Sequence, residues 1–308
     1  MRPLPEPHGA ALLECGLLGL ALRIAAPQAL LPTLENALAR WCSDPAGAAA
    51  RLDVQLALDP ALAGCGEVTI SASDHVLLLD GMAAIGVADT WQGSAQASVS
   101  SDYLRAPDLL REQVIEPLVL FLAGHAGRTP LHAAGIVVGE LAILLAGPSG
   151  SGKSCLALAA QDAGLALLSD DTVYVQRQPA LAVWGAPGPI HLFAADAGRH
   201  DGTVRLRNGK RKLGVPMCAH AAGPVRRIAW CRLAHGETPR LTRIARGEAL
   251  AAFANPEPGF DLFATDIRRA GEQLVAYGGW RLTLGRDPAA AIELLLRNLD
   301  ALNVGAAA

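Results

Sequence analysis

Hydrophobic positions along the chain follow two different spacings, and the change between them predicts two regions. In the first third, short stretches with alternating apolar residues are typical of half-buried strands. These stretches lie within residues 11–24, 52–58, 68–72, 75–80, 83–88 and 96–100. Apolar residues at helical spacing predict helices over residues 28–41 and 107–126, and Pro117 is expected to kink or divide the second helix. This part of the chain is therefore predicted to be a small α+β module.

The second region has continuous apolar runs instead of alternating ones. Such runs, buried on both faces, are typical of a central sheet that is at least partly parallel. Predicted strands lie at residues 133–138, 141–146, 165–169, 172–176, 228–233 and 280–284. Predicted helices lie at residues 153–163, 247–254, 261–277 and 288–302. Because the pattern breaks at residues 124–130, we expect an N-terminal module over 1–127, with a role in substrate recognition, and an α/β domain over 128–308.

Composition narrows the class of protein. Of the 308 residues, 51% are apolar and 18% are charged, which supplies side chains for packed cores and excludes a disordered chain. A net charge of −3 gives no global basic field, so neither nucleic acid nor an anionic membrane is an expected partner. No uncharged apolar stretch reaches the roughly 20 residues that span a bilayer, and the start of the chain lacks a signal-peptide pattern. We therefore expect a cytoplasmic protein.

Six cysteines are spread along the chain without forming a C-x-x-C pair. This spacing predicts neither a zinc site nor a disulfide framework. It agrees with a reducing compartment, in which disulfides are rare.

Residues 147–154 carry the clearest motif, G-x-x-x-x-G-K-S, between a predicted strand and a predicted helix. A polyphosphate must be wrapped by backbone N–H groups at close range, and glycine permits both the turn and the approach. The helix that follows directs its N-terminal dipole at the phosphates. In this motif the Lys153 ammonium reaches the β- and γ-phosphates, and the Ser154 hydroxyl binds Mg²⁺. The predicted nucleotide-binding residues are Gly147, Pro148, Ser149, Gly150, Ser151, Gly152, Lys153, Ser154 and Cys155.

A chance match is the alternative, because the chain contains 32 glycines. Two features argue against chance. The motif stands in the strand–loop–helix context that it requires. Lysine occurs only at positions 153, 210 and 212, and one of these falls on the position that the motif demands. We therefore predict that the chain binds ATP together with Mg²⁺.

The predicted strand at residues 165–169 ends in Asp170 and Asp171. In nucleotide-cleaving folds, an acid at the tip of a neighbouring strand meets Mg²⁺ beside the phosphates. Adjacent side chains point in roughly opposite directions, so one carboxylate can hold the metal while the other accepts a proton from an incoming hydroxyl. The alternative is a solvated turn or a helix cap, which the upstream motif disfavours. His132 begins another predicted strand, and a lone histidine is more often structural than catalytic.

Taken together, these elements resemble the HPr kinase-like family, relatives of the bacterial kinase that phosphorylates a serine of the carrier protein HPr. The matching stretch, residues 131–175, is LHAAGIVVGELAILLAGPSGSGKSCLALAAQDAGLALLSDDTVYV. It contains a histidine, a strand, the phosphate loop, a helix and a strand that ends in Asp-Asp. That family also resembles phosphoenolpyruvate carboxykinase around its nucleotide site. The lead-in SDYLRAPDLLREQVIEPLVLFLAGHAGRTPLHA is similar to stand-alone members, some of which phosphorylate a serine of lasso-peptide precursors.

The resemblance implies a P-loop kinase domain with a mixed central sheet. It implies that Asp170 is the base that takes the hydroxyl proton, and that Asp171 binds Mg²⁺ with Ser154 and holds His132. The roles of the two aspartates are interchangeable on this reasoning. His132 would then belong to the catalytic site. Lys153, the loop amides and Mg²⁺ would stabilise the charge of the transition state.

Two segments lie outside the resemblance. HPr kinases that also remove the phosphate carry a signature with glutamate and arginine, and the corresponding segment here, LAVWGAPGPIHLF, contains neither. We therefore expect no phosphorylase activity and no second metal site. A basic run surrounds a predicted hairpin turn at residues 208–209, and it is either a clamp for the nucleotide or an acidic peptide, or a solvated turn. The run consists of Arg205, Arg207, Lys210, Arg211 and Lys212.

Three functions remain open from the sequence. The first is an ATP-dependent kinase that transfers the γ-phosphoryl group to a serine of a peptide or small protein. The second is a small-molecule kinase that acts on a sugar or metabolite hydroxyl. The third is a nucleotide-gated binding module with little catalysis, which the acidic pair disfavours because binding alone needs no base. The identity of the acceptor and the oligomeric state, a homo-oligomer included, stay open.

Overall fold

The structure is a computed structural model. It describes residues 10–44, 47–186, 188–193, 202–207, 210–221, 223–304 and 306. The chain divides into two compact units, Met1–Arg128 and Thr129–Ala308. They are called the N-terminal unit and the C-terminal unit below.

In the described part of the chain, the N-terminal unit is built on a seven-stranded mixed sheet. Its strands are β1 (Ala10–Leu17), β2 (Leu20–Pro27), β3 (Arg51–Leu58), β4 (Thr69–Ala72), β5 (Val76–Asp80), β6 (Ala84–Asp89) and β7 (Ser94–Val99). They lie in the order β1-β2-β3-β7-β6-β5-β4, in which β2, β3 and β7 are parallel neighbours. Its helices are α1 (Leu31–Leu38), α2 (Pro107–Leu110) and α3 (Glu116–His125), with a π-helical turn at Arg111–Ile115 and 3₁₀ turns at Gln28–Leu30 and Ser101–Arg105.

The long helical segment of this unit contains a π-helical turn directly before α3, and Pro117 lies in the first turn of α3. The hydrogen bond from Glu116 N–H to Arg111 O continues the helical backbone up to Pro117, which has no N–H to donate. The π-helical turn immediately before α3 is a common way for a helix to absorb an interruption. Leu118 and Leu122 of α3 are buried, and α3 contacts β3, β6 and β7 of the sheet.

A disulfide joins Cys15 on β1 to Cys42, which follows α1. Backbone hydrogen bonds between Gly16 and Ser43 hold the returning segment against β1, with N···O distances of 2.7 and 2.8 Å. The expectation that no disulfide forms is therefore wrong here. The two cysteines are 27 residues apart in sequence, and their contact depends on where α1 returns the chain, so cysteine spacing gives no sign of it.

Among its described residues, the C-terminal unit has a six-stranded sheet and two three-stranded sheets. Its strands are β8 (Thr129–Leu131), β9 (Ala133–Val138), β10 (Leu141–Ala146), β11 (Ala166–Ser169), β12 (Val173–Gln176), β13 (Ala182–Gly185), β14 (Ile190–Phe193), β15 (Thr203–Arg207), β16 (Lys210–Val215), β17 (Arg227–His235), β18 (Arg240–Ile244) and β19 (Gly279–Leu284). Its helices are α4 (Lys153–Asp162), α5 (Arg246–Leu250), α6 (Ala264–Leu274), α7 (Pro288–Arg297) and α8 (Leu299–Val304), with 3₁₀ turns at Ala251–Phe253 and Asp261–Phe263. No helix in the described ranges of either unit has the length and apolar character needed to cross a bilayer.

The six-stranded sheet forms the centre of the C-terminal unit, in the order β11-β9-β10-β17-β19-β18. β10, β17 and β19 are parallel neighbours, while β9, β11 and β18 pair antiparallel. The predicted central, partly parallel sheet and the mixed α/β class are thus confirmed. Helices α4 and α7 share an apolar core with one face, to which Cys231 of β17 contributes. The next residue back, Trp230, points to the opposite face and packs against Phe253.

Parts of this unit differ from the sequence prediction. The strand predicted at residues 172–176 is present as β12, but it leaves the central sheet and pairs with β8 and β13. Strands β8, β13, β14 and β18 are short, and the apolar pattern does not predict them. The hairpin of the basic run is present, since β15 pairs antiparallel with β16 and places Arg207 opposite Lys210. Its turn at residues 208–209 lies outside the described residues.

Strand pairing brings three points of the chain to one edge of the central sheet. β9 pairs antiparallel with β10, so that Ala133 is opposite Ala146. β11 pairs antiparallel with β9, so that Ser169 is opposite Gly135. The residue before β9, the loop after β10 and the residues after β11 therefore leave the sheet at the same edge. In α/β sheets, ligands commonly bind outside strand ends of this kind.

Gly185, at the end of β13, allows the sheet of β12 and β13 to lie close to β11. A Cβ atom on Gly185 would come 2.0 Å from the carbonyl oxygen of Leu168. We expect Gly185→Ala to lower the free energy of unfolding by about 1–3 kcal/mol, because backbone atoms must move apart to admit the methyl group. Gly188→Ala is the matched control, since a Cβ at that position meets nothing within 4 Å. Urea unfolding measures both variants, and equal losses would contradict the close packing.

Candidate functional site

The loop between β10 and α4 has a backbone that requires glycine. Gly150 has a φ of +85° and Gly152 a φ of +98°, both in the left-handed region. At the start of the loop, a Cβ on Gly147 would come 2.7 Å from Ser151 Oγ. The three glycines let the backbone fold back closely over itself. This conformation suits the approach of an anion to backbone N–H groups.

The start of α4 presents backbone donors that the helix itself does not use. Its N-cap is Gly152, and no described side chain caps the first turn. The first N–H groups of a helix have no partner within the helix and carry a partial positive charge. Ser151 adds a buried hydroxyl that has no hydrogen-bond partner among the described residues. These donors fit phosphate oxygens, so the residues present suit the polyphosphate that the motif predicts.

Lys153, the first residue of α4, is buried against the loop. Its Nζ donates hydrogen bonds to the carbonyl oxygens of Gly147 at 2.6 Å and Pro148 at 3.3 Å. Burial lowers the pKa of Lys153, and three nearby carboxylates act in the opposite direction. An ammonium group held out of water in this way gains from a second anionic partner, which a bound polyphosphate would supply.

One residue of the basic run lies near this lysine. Burial is the main cause that lowers the pKa of Lys153, and the positive charge of Lys212 on β16 adds to it. The Lys212 Nζ lies 5.5 Å from the ring centroid of Phe193, on the neighbouring strand β14. The charge of Lys212 is therefore among those that act on Lys153.

Asp170 follows β11 and is held inside the site, with 7% of its side chain exposed. The Ser154 hydroxyl donates to Asp170 Oδ2 at 3.3 Å. The backbone N–H of His191 donates to the same oxygen at 2.8 Å. Asp170 thus links the end of β11 to the first turn of α4 and to β14.

Asp171 makes different contacts from Asp170. Its Oδ1 is 3.1 Å from His132 Nε2, and 44% of its side chain is exposed. On the other side of the ring, His132 Nδ1 lies 2.8 Å from Glu257 Oε2, within ion-pair distance. Phe260 stacks on the imidazole, with ring centroids 5.5 Å apart and planes inclined by 13°. The position of His132 is therefore fixed by two carboxylates and one aromatic face.

The structure brings the predicted site residues together at one edge of the central sheet. His132, the loop at residues 147–154 and the acidic pair all lie there. One step of the sequence argument is wrong: β11 is not the neighbour of β10, because β9 lies between them. The acidic pair still reaches α4, because Asp170 contacts Ser154 across the intervening strand.

Sequence reasoning assigns no role to three residues that contact this site. His191 contacts Asp170 through its backbone N–H, which any residue except proline supplies, and its Nδ1 lies 3.8 Å from Asp170 Oδ2. Glu257 and Phe260 belong to the segment NPEPGF, which has no regular periodicity and follows the motif at a long distance in sequence. Only the folding of the unit brings these two side chains to His132.

The oxygen atoms at this site can be compared with those that usually bind Mg²⁺. Among the described residues, no group of three or more His, Cys, Asp or Glu side chains is arranged to hold a metal ion. Mg²⁺ in phosphoryl-transfer sites is bound through one or two protein oxygens, the phosphates of the substrate and waters. Ser154 and Asp170 are in contact and supply oxygens of that kind. The site therefore fits Mg²⁺ bound together with a nucleotide.

Two cavities adjoin different residues of the loop and of α4. The larger, about 270 Å³, lies beside the first residues of the loop, and His132 and Glu257 line it. Its other walls come from β17, α6 and the segment at residues 252–260. The smaller cavity is about 130 Å³ and is lined by Gly152, Cys155, Leu156, His235, Leu284, Gly285 and Pro288.

Comparisons with known proteins give a limited result. No protein-family model matches the sequence, and no curated protein matches it. Among solved structures, the chain is similar to the HPr(Ser) kinase/phosphatase from Coxiella burnetii, at 16% sequence identity with a TM-score of 0.29. The match covers 56% of this chain and 96% of that one. A likeness at this TM-score supports no conclusion about activity, so function has to be inferred from the geometry of the site.

The two aspartates form a matched pair for testing which carboxylate supports the folded site. Asp170→Ala leaves the N–H of His191 without this acceptor, and an unpaired buried donor costs about 1–3 kcal/mol. Asp171→Ala removes a side chain that is 44% exposed, so its cost is expected to be smaller. Urea unfolding at neutral pH compares the two variants. A larger loss for Asp171→Ala would contradict the arrangement.

Proposed function

We propose that the protein is an ATP-dependent kinase that transfers the γ-phosphoryl group to a serine hydroxyl of a peptide or small protein. The contact between Ser154 and Asp170 carries this proposal. It joins a loop suited to a polyphosphate with a pair of carboxylates, and phosphoryl transfer to a hydroxyl uses both. A module that only binds a nucleotide needs the loop alone.

Each part of the site has a separate task in this proposal. The loop amides and Lys153 bind the β- and γ-phosphates and stabilise the charge that spreads over the phosphoryl oxygens. Ser154 and Asp170 would hold Mg²⁺, which would neutralise part of the charge of the phosphates. The larger cavity lies on the side of His132, so the acceptor is expected there.

The contacts favour one assignment of the two aspartates. Asp170 is buried, and its Oδ2 already accepts from Ser154 and from His191, so it suits a metal-binding role with Ser154. Asp171 is more exposed and pairs with His132, which lines the larger cavity. We therefore assign Mg²⁺ to Ser154 and Asp170, and the base to Asp171. This is the reverse of the roles that the family resemblance implies.

The chemical step moves one phosphoryl group and one proton. The acceptor oxygen forms a bond to the γ-phosphorus, while the bond from that phosphorus to the β,γ-bridging oxygen breaks. The hydroxyl proton moves to Asp171, and ADP leaves with the electron pair of the broken bond. His132 is a positioning residue in this scheme, because it orients Asp171 through its Nε2 contact.

Lys153→Ala is expected to abolish the stabilisation of the protein by ATP and Mg²⁺. A ligand that binds only the folded state stabilises it by about 2.7 kcal/mol at 100 times its Kd, so the wild type should show a clear rise in Tm. Arg226→Ala is the control: Arg226 is exposed and precedes β17 at the opposite edge of the sheet. It removes the same charge and should keep the rise. A full rise in Lys153→Ala would contradict nucleotide binding at this loop.

The substitutions Asp170→Asn and Asp171→Asn distinguish the roles of the two carboxylates. Each substitution keeps the shape of the side chain and removes its charge. Asp170→Asn is expected to weaken ATP binding only when Mg²⁺ is present, as measured by calorimetry with and without the metal. Asp171→Asn should keep that binding and lower the transfer rate by about 10²–10⁴, the usual contribution of a general base.

Transfer in this experiment is measured by mass spectrometry, as phosphoserine formed on a library of short peptides with one serine and random flanking residues. The opposite pattern of effects would return the base to Asp170. Wild-type protein that binds ATP and Mg²⁺ but phosphorylates no serine or other hydroxyl would reject the proposed function.

A further inference from the structure

The larger cavity beside the loop has a chemical character that phosphoryl transfer alone does not require. Most of its lining is apolar, and two aromatic rings in its wall, Trp230 and Phe253, lie with their centroids 5.3 Å apart. Ile267 of α6 is buried in the same wall. Phe260, which stacks on His132, also lines the cavity. The polar side chains that line the cavity are His132, Arg232, Asn255 and Glu257.

The cavity lies next to the residues at which the acceptor hydroxyl is expected. Gly147 and Pro148, the first residues of the loop, form part of its lining, as does His132. His132 in turn contacts Asp171. A group that fills the cavity therefore lies next to the carboxylate and to the loop. If that group belongs to the acceptor, it must be bonded close to the acceptor hydroxyl.

The polarity of the cavity lining bears on the kind of acceptor. Its volume of about 270 Å³ is close to the lower end of the range of roughly 300–1,000 Å³ that is usual for ligand pockets, so it admits one bulky side chain or a small metabolite. A sugar would place hydroxyls against the apolar part of the wall formed by Trp230, Phe253 and Ile267, where an unpaired polar group costs free energy. One bulky apolar side chain matches both the volume and the lining.

We propose that this cavity is an acceptor pocket that binds an apolar or aromatic side chain next to the acceptor serine of a peptide. The inference rests on the proposed function and deepens it, since it names the class of substrate: peptides with a bulky apolar residue within one or two positions of the serine. Trp230, Phe253 and Ile267 are then specificity-determining residues, and the loop and Asp171 act on the hydroxyl beside them.

Ala252 offers a way to fill the pocket without disturbing the core. It lines the cavity and is exposed, and so is its neighbour Ala251 in the same 3₁₀ turn, which does not line the cavity. Ala252→Leu should therefore occupy the acceptor pocket, while Ala251→Leu is a matched control with the same added volume. Neither residue belongs to the nucleotide site, so both variants should keep the rise in Tm with ATP and Mg²⁺.

Two measurements on the full chain test the proposal. The first is kcat/KM for peptides in which the residue after the serine is Gly, Asp, Leu or Phe. The wild type and Ala251→Leu should prefer Leu or Phe by about tenfold or more, the effect of burying one such side chain, and Ala252→Leu should lose that preference. The second is binding of N-acetylphenylalaninamide, measured by saturation-transfer NMR, which Ala252→Leu should abolish.

The results distinguish failure of the acceptor-pocket proposal from failure of the proposed kinase function. Serine phosphorylation that is indifferent to the flanking residue, or a preference that Ala252→Leu keeps, would overturn the acceptor pocket and leave the kinase proposal intact. If Ala252→Leu blocks binding of the amide, Ala251→Leu does not, and no peptide is phosphorylated, the cavity is an apolar side-chain site and the kinase proposal is rejected. Absence of both binding and preference in the wild type would overturn the acceptor pocket.

Discussion

The antiparallel pairing of β9 with both β10 and β11 is the constraint on which the candidate site depends. This pairing makes the start of β9, the end of β10 and the end of β11 coincide at one edge. A slip of one residue in either register would turn side chains to the opposite face of the sheet. Gly135 at the centre of β9 supports the pairing, because a Cβ there would come 2.9 Å from Leu168 Cβ on β11. The chemistry at the edge thus rests on close packing within the sheet.

Several features of the loop destabilise the folded chain when no ligand is bound, and a bound anion would offset their cost. The Lys153 ammonium is buried, the Ser151 hydroxyl has no partner among the described residues, and the first turn of α4 has no side-chain cap. Stable folds usually satisfy such groups, and exceptions concentrate at functional sites. All three groups are donors or cations, so the ligand that would satisfy them is negatively charged.

The loop and the acidic pair can be located from the sequence, whereas several contacts around them cannot. The spacing of glycines, Lys153 and Ser154 is set by local chain geometry, so a motif within eight residues carries it. The sequence pairs Ser154 with Asp171, whereas in the structure the Ser154 hydroxyl contacts Asp170. Glu257 and Phe260 reach His132 only through tertiary packing of an irregular segment, and the Cys15–Cys42 disulfide likewise depends on long-range return of the chain. No local periodicity encodes such contacts.

The second sheet explains why two adjacent aspartates acquire different surroundings. Between Ser169 and Val173, the chain leaves the central sheet and enters the sheet of β8, β12 and β13. Earlier in the chain, at His132, it leaves that second sheet after β8 and enters the central sheet at β9. Asp171 and His132 therefore both lie at crossings between the two sheets, and their contact joins these crossings. Asp170 stays on the side of α4, where it is buried against Ser154. Because the crossing turns the backbone between the two residues, one carboxylate is fixed toward the loop while the other is left partly exposed toward the histidine. In the proposed function, the division between metal binding and proton acceptance would use this difference in surroundings, and it does not require the two aspartates to differ in chemistry.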